Sequence, residues 1–383
     1  MDELLPYIPT GEELDAKALS PYWLDPSVDY PEPRYLLEYK GVGFSPLGGI
    51  QAISGQKKNG KTFVLAQLMA AILGSGSERV EAKLPGLKTV DSTVEWLGQE
   101  PSVLYVDTEM EQLNTAKVLR RVHWLCGWDS NVANDRFRVL WLRQVTAEDE
   151  KPAFALRYEL IKKAIAWMRP TAVFIDGIRD IIGDFNDNEQ SSALVTELMT
   201  LATQYNCCIW NVLHANPRPT NDDEGKMRGH LGTELGNKVS DTFVSKKNKT
   251  ERGVTFTVKQ MDARGKDVDD WSFEVTDDAG GLGIPRILDA VVVAEKKTEG
   301  KSNEPTEDEW KTMARLMREV IQPPMAVSYR ALREGLKEKG FIGSTKGARW
   351  IQQALERGLI EYRMEKYTFN TEEEKKINGD CPF

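Results

Sequence analysis

Between residues 39 and 280, short apolar runs alternate with longer segments of helical period. "GIQAIS" (49–54) has the continuous apolar character of a buried strand, and "KTFVLAQLMAAILG" follows as a helix that is apolar nearly all round. "SVLYVD" (102–107) predicts the next strand, with an amphipathic helix over 110–126. "FRVLWL" (137–142), "AVFID" (172–176) and "CCIWNVLH" (207–214) predict further strands, separated by helical stretches near 153–168 and 189–205. Strands that alternate with helices imply an α/β domain with a mainly parallel, twisted sheet. "DTFVSKK", "VTFTVKQ" and "WSFEVT" alternate at period two, which predicts short antiparallel strands closing one edge.

The flanks lack this pattern. Residues 1–38, rich in proline, acids and aromatics, predict an extended N-terminal arm ahead of a core over 39–290. The polar stretch "AEKKTEGKSNEPTE" predicts a linker over 291–306. From 307 to 370 three helical patterns, "EDEWKTMARLMREVI", "SYRALREGLKEKG" and "TKGARWIQQALERG", precede the hairpin-like "LIEYRMEKYTF". That order predicts a small winged helix-turn-helix domain, followed by a disordered tail over 371–383.

Composition narrows the class of function. The 383 residues are 40% hydrophobic and 28% charged, and no apolar run reaches the length of a membrane span. The acidic start "MDELLPYIPT" lacks an export pattern. The four cysteines have no metal spacing, and adjacent Cys207 and Cys208 point to opposite faces of a strand as buried thiols. A cytoplasmic protein with no membrane partner is expected. The net charge of −9 argues against a surface that coats nucleic acid throughout. Charge is uneven, however: residues 310–369 hold twelve Lys/Arg against six Asp/Glu, so this segment carries +6 and the remainder −15.

The chemistry starts at "GQKKNGKTF". Gly55, Gln56, Lys57, Lys58, Asn59, Gly60, Lys61 and Thr62, with Phe63 after them, match G-x-x-x-x-G-K-[ST]. The glycines let successive backbone N–H groups converge on a phosphate, and the following helix aims its positive end at the same anion. Lys61 reaches the β- and γ-phosphates in this reading, and Thr62 holds Mg²⁺. Lys57 and Lys58 either add charge near the γ-phosphate or face solvent. Asp176, ending "TAVFID", supplies the carboxylate that such a loop needs for Mg²⁺. "VLYVDTEM" ends its strand with Asp107 and Glu109, two acids that could position or deprotonate water. His214 ends the apolar strand "CCIWNVLH", where a lone histidine is most often structural.

The order "GIQAISGQKKNGKTFVLAQLMAAI", "VLYVDTEM", "AVFIDGIRDII", "CCIWNVLHAN", "RGHLGTELGNKVSD" resembles the RecA-like ATPase core over roughly residues 40–280. It most resembles the plasmid RepA type of hexameric replicative helicase and its relatives on mobile elements. The resemblance implies ATP and Mg²⁺ as cofactors, with Lys61 and Thr62 on phosphate and metal, Glu109 activating water, Asp176 supporting Mg²⁺ and His214 sensing the γ-phosphate. It also implies a homo-oligomeric ring in which Lys259 and Arg264, from "TVKQMDARGK", complete the neighbour's site. Their spacing is longer than the Lys-x-Arg of DnaB helicases.

Family members bind single strands through loops after the third and fourth core strands. The first loop here, "RDIIGDFNDNEQSS", sets Asp180, Asp184, Asp187 and Glu189 against Arg179, a poor match to phosphate. The second, "ANPRPTNDDEGKMRG", is mixed and offers Lys226 and Arg228. In a winged helix, the third helix would present Lys346, Arg349 and Gln353 to duplex DNA, with Arg363 and Lys366 on the wing. Protein contact is the other use of such a domain. Three functions therefore stand: a ring-forming DNA helicase, a DNA-stimulated ATPase that loads or regulates a replication or transposition partner, and a nucleotide-switched DNA-binding regulator.

Overall fold

The computed structural model describes residues 23–148, 151–216, 226–250, 253–288, 307–338, 351, 354–363 and 366–370. The chain divides into two units, 1–290 and 291–383.

In the first unit the strands are β1 (Tyr35–Tyr39), β2 (Val42–Pro46), β3 (Ile50–Gly55), β4 (Leu87–Thr89), β5 (Val103–Asp107), β6 (Phe137–Trp141), β7 (Ala172–Asp176), β8 (Cys208–His214), β9 (Asp241–Thr250), β10 (Gly253–Ala263), β11 (Trp271–Thr276) and β12 (Ile284–Ile287). Nine of them form one sheet in the order β12-β11-β10-β9-β3-β8-β7-β5-β6. The strands from β9 to β6 in that order run parallel, and β10, β11 and β12 add antiparallel pairs at the edge. This corrects the expectation for "DTFVSKK": β9 pairs parallel with β3 and only its other side begins the antiparallel ribbon. A period-two pattern marks a strand but is silent on its direction.

Strand alternation sends side chains to two separate cores. Ile53, Tyr105, Phe174, Cys208, Trp210 and Phe243 face one layer, while Ala52, Val106, Ile175, Cys207, Ile209 and Leu213 face the other. Cys207 and Cys208 thus lie on opposite faces, both buried and free. Helix Lys61–Leu73 packs with helix Gln112–Leu125 on the first face. It is also covered by a small antiparallel sheet, β2-β1-β4, which explains why it is apolar nearly all round. β1 begins at Tyr35, so the last residues assigned to the arm are paired into this sheet, and the described stretch ahead of them, 23–34, is exposed coil apart from a turn at Pro26–Ser27.

The second unit has helices Glu307–Ile321 and Tyr329–Glu338 and a three-stranded antiparallel sheet of β13 (Ala326–Val327), β15 (Lys366–Phe369) and β14 (Ile360–Arg363), in that order. Trp310, Met313, Met317, Leu332, Leu336, Ile351 and Leu359 form its own core. Lys346, Arg349 and Gln353 lie outside the described residues, as do the linker over 291–306 and the tail. Among the described residues no helix is long and apolar enough to cross a membrane.

Candidate functional site

Parallel pairing fixes where the candidate residues meet. Asp107 of β5 is level with Asp176 of β7, Asp176 with Val212 of β8, and Gly55 of β3 with His214. The phosphate loop, both acids and the histidine therefore share the carboxyl end of the sheet, where ligands bind in open α/β folds.

The loop needs its glycines. Gly60 has φ 82°, and a Cβ there would stand 2.6 Å from Phe256 Cδ1. At Gly55 a Cβ would stand 2.6 Å from the Ser245 carbonyl, and Ser245 Oγ donates to Asn59 O. The β9–β10 ribbon is thus the wall behind the phosphate loop. Phe63, counted with the loop by motif, turns its ring against Phe256 and the Arg121 guanidinium.

Gly60 caps the helix without a side-chain hydrogen bond, and no acid occupies the first turn. The first N–H groups and the positive end of the helix remain open to an anion. Lys61 is buried and donates to Gly55 O and Gln56 O, each at 2.9 Å, so its ammonium is folded onto neutral carbonyls. Burial pulls its pKa down, opposed by Asp176 and Glu109. Lys57 and Lys58 are exposed.

Asp176 lies beneath the loop. Its Oδ2 accepts from Thr62 Oγ1 at 3.3 Å and from Tyr105 OH at 3.1 Å. Burial, with Asp107 and Glu109 nearby, pushes this carboxyl up to about 7. The hydroxyl and carboxylate of Thr62 and Asp176 are hard oxygen donors placed at an uncapped helix start, so the residues fit a Mg²⁺-bound nucleotide. Bound there, Mg²⁺ would neutralise charge on the phosphate oxygens.

The two candidate bases separate cleanly. Asp107 is fully buried: Oδ1 accepts from the N–H groups of Glu109 and Met110, and Oδ2 from Thr115 Oγ1 at 2.6 Å. It organises the turn into helix Gln112–Leu125, with both oxygens engaged and the side chain closed off from solvent. Glu109 is partly exposed, with Oε2 3.6 Å from His214 Nε2. The His214 ring beside it holds its carboxyl below the ordinary range, and Lys61 and Lys57 add to this. His214 Nδ1 lies 3.1 Å from Lys61 Nζ. An ammonium only donates, so Nδ1 accepts and the ring proton sits on Nε2, towards Glu109.

Gly177, which the sequence reading passed over, has φ 105°. A Cβ there would collide with Thr108 Oγ1 and come within 2.9 Å of Glu109 Cγ. The Asp-Gly pair at the strand end was its only signal in the sequence. Ser245 and Phe256 had none, because their role depends on which strand lies beside β3.

The remaining candidates make no side-chain contact with this cluster among the described hydrogen bonds and ion pairs, although Arg228 N bonds His214 O. Lys259 is exposed on β10, level with Val244, and Arg264 follows that strand, with its guanidinium donating to Lys238 O. Arg264 N bonds Ser240 O, so it sits at the opposite end of the sheet from this chain's own phosphate loop. Lys226 and Arg228 are exposed where the second loop rejoins the core; residues 217–225 lie outside the description. Arg228 and Arg179 both stack on Phe185 of the first loop, at 5.6 and 4.2 Å. Three acids of that loop accept hydrogen bonds: Asp180 Oδ2 from Thr108, Asp184 Oδ1 from Asn186 N, and Asp187 Oδ1 from Gln190 N, capping a helix. Lys366 is exposed on β15, which pairs with β14 at Arg363.

A family model described as an AAA domain matches residues 24–218. Among solved structures, the chain is similar to a KaiC-like protein from the hyperthermophilic archaeon Pyrococcus horikoshii OT3, at 14% identity and a TM-score of 0.43, over 67% of this chain and 100% of that one. A search of curated proteins finds no match. The family match spans just over half of the chain and takes in the phosphate loop, Glu109, Asp176 and His214, so the chain belongs to the AAA domain family.

Proposed function

We propose that this protein is an ATP- and Mg²⁺-dependent, DNA-binding ATPase of a plasmid or other mobile element, a RepA-like helicase whose subunits close into a ring, most simply a hexamer. The observation that carries the reading is the contact chain Lys61–His214–Glu109, which sets a phosphate-binding ammonium and an open carboxylate on either side of one imidazole. Glu109 then activates water, and Lys259 with Arg264, which lies at the opposite end of the sheet from its own loop, complete a neighbour's site. For DNA, the support is the pair Arg179 and Arg228 on Phe185, cations beside an aromatic face at the loops following β7 and β8. The winged-helix reading of the second unit rests on its helix and strand order and on the +6 charge of residues 310–369, with Lys346, Arg349, Gln353, Arg363 and Lys366 as duplex contacts. The exposed acids Asp184 and Glu189 favour the second reading, an ATPase that loads a replication or transposition partner without unwinding.

The test combines ATP turnover without nucleic acid, with single strands and with duplex, mass measurement with and without nucleotide, and strand displacement on a fork. Helicase action predicts displacement that Lys61→Ala abolishes, and Glu109→Gln should retain ATP binding while losing about 10²–10⁴ in turnover. DNA-stimulated turnover without displacement would select the loader. A wild-type protein that neither binds DNA nor responds to it would overturn the proposal.

A further inference from the structure

We infer that Tyr105 is a positioning residue for the metal-supporting carboxylate: its phenol holds Oδ2 of Asp176, which leaves Oδ1, without a hydrogen bond among the described residues, as the oxygen available to a cation. The inference rests on the proposed Mg²⁺-nucleotide reading of the site.

Tyr105 stands in the middle of β5, level with Phe174 of β7, and is wholly buried in the core layer formed with Phe174 and Trp210. Phenylalanine would fill the same space. A phenol placed there needs a polar partner, and the one it has is Asp176 Oδ2 at 3.1 Å. The same oxygen accepts from Thr62 Oγ1 at 3.3 Å, while among the described residues Oδ1 accepts nothing. Two donors on one oxygen fix the rotation of the carboxylate. They also tie together the phosphate-loop helix through Thr62, β7 through Asp176 and β5 through Tyr105. Without the phenol, the longer Thr62 contact is the remaining tether, and the carboxylate can turn about its last bond.

A group that orients a metal-associated carboxylate acts on metal affinity before it acts on anything else. Tyr105→Phe should therefore leave nucleotide affinity in EDTA unchanged. It should raise the Mg²⁺ concentration for half-maximal tightening of a fluorescent ATP analogue by about tenfold, at the low end of such effects. Turnover should fall at limiting Mg²⁺ and recover when Mg²⁺ is in excess. Direct Mn²⁺ titration of the nucleotide complex by electron paramagnetic resonance should show the same weakening. In an Asp176→Asn background the Tyr105→Phe change should add nothing, because the two act as one unit.

The affinity in EDTA separates a positioning role from a folding defect. If it falls as far as the affinity in Mg²⁺, Tyr105 is structural and the inference is wrong. It is equally overturned if half-saturation by Mg²⁺ stays within about twofold of wild type, well inside the range expected of an orienting group. A wild-type protein whose nucleotide affinity ignores Mg²⁺ would remove the underlying reading as well, an outcome distinct from Tyr105→Phe matching a Mg²⁺-responsive wild type.

Discussion

The demand for Mg²⁺ should fall steeply as pH rises through neutrality, with Asp176 setting the slope. Burial pushes this carboxyl up to about 7, Asp107 and Glu109 add to the effect, and the Tyr105 hydrogen bond and Lys61 oppose it. A proton and a divalent cation then compete for one carboxylate. With a midpoint near 7, about a tenth of the carboxyl is ionised at about pH 6 and about nine tenths at about pH 8. Half-saturation by Mg²⁺ should accordingly fall about tenfold across that interval. The assay is Mg²⁺ titration of nucleotide affinity at each pH for wild type and Asp176→Asn. Titration of the nucleotide's own phosphates affects both proteins alike, so the difference between them isolates the side chain. A wild-type slope equal to that of Asp176→Asn would refute the reasoning. The same raised pKa bears on stability: the native state holds this proton more tightly than the unfolded chain. Its stabilising contribution is full below about pH 4 and lost as pH rises through about 7. Asp176→Asn should therefore melt above wild type at about pH 8, with the gap closing on acidification.

Two further outcomes follow from buried geometry. Gly177→Ala places a Cβ at φ 105°, against Thr108 Oγ1 and 2.9 Å from Glu109 Cγ. It should cost about 1–3 kcal/mol of stability by denaturant unfolding. It should also lower turnover about 10²-fold with ATP affinity near wild type; unchanged turnover would mean that Glu109 is not held where the chemistry occurs. Asp241 is buried, accepts from Ser45 N and Gln260 Nε2, and burial raises its carboxyl to about 6. Its contribution is full below about pH 4 and lost as pH rises through about 6, so thermal melts of wild type and Asp241→Asn should diverge across that window beyond any constant offset.

The elements were legible because each obeyed one period. The all-apolar "KTFVLAQLMAAIL" had to be a helix buried on several sides, and the small sheet β2-β1-β4 supplies the second cover. The site was legible because parallel strands deliver their last residues to one edge, so that a motif read at the end of each strand becomes a cluster in space. What stayed hidden depends on neighbours distant in sequence. The parallel pairing of β9 with β3 and the Phe256 wall behind Gly60 follow from strand order, which no local pattern encodes. The difference in environment between Asp107 and Glu109 depends on Thr115, eight residues downstream of Asp107, whose hydroxyl donates to an Asp107 oxygen. The engagement of the first loop's acids was hidden for a similar reason, since formal charge does not reveal that Asp180 accepts from Thr108 beyond β5 and Asp187 from Gln190 N.

His214 is where the nucleotide site and the loops share a part. Its ring accepts from Lys61 and faces Glu109, while its carbonyl accepts from Arg228 N, at 3.1 Å, where the second loop re-enters the core. The next residue, Ala215, donates its N–H to Gly55 O, the same carbonyl that receives Lys61 Nζ. A phosphate that draws Lys61 away removes a donor from the imidazole and from the Gly55 carbonyl together. The His214 carbonyl is bonded directly to the backbone of Arg228, whose guanidinium is stacked on the first loop's Phe185. Coupling requires an element with two arrangements that both sites bias. His214 at the end of β8 is held by Lys61 through its ring and by Arg228 through its carbonyl, so three residues connect the phosphate loop with the arginines stacked on Phe185, and His214 is the position at which to test for such coupling.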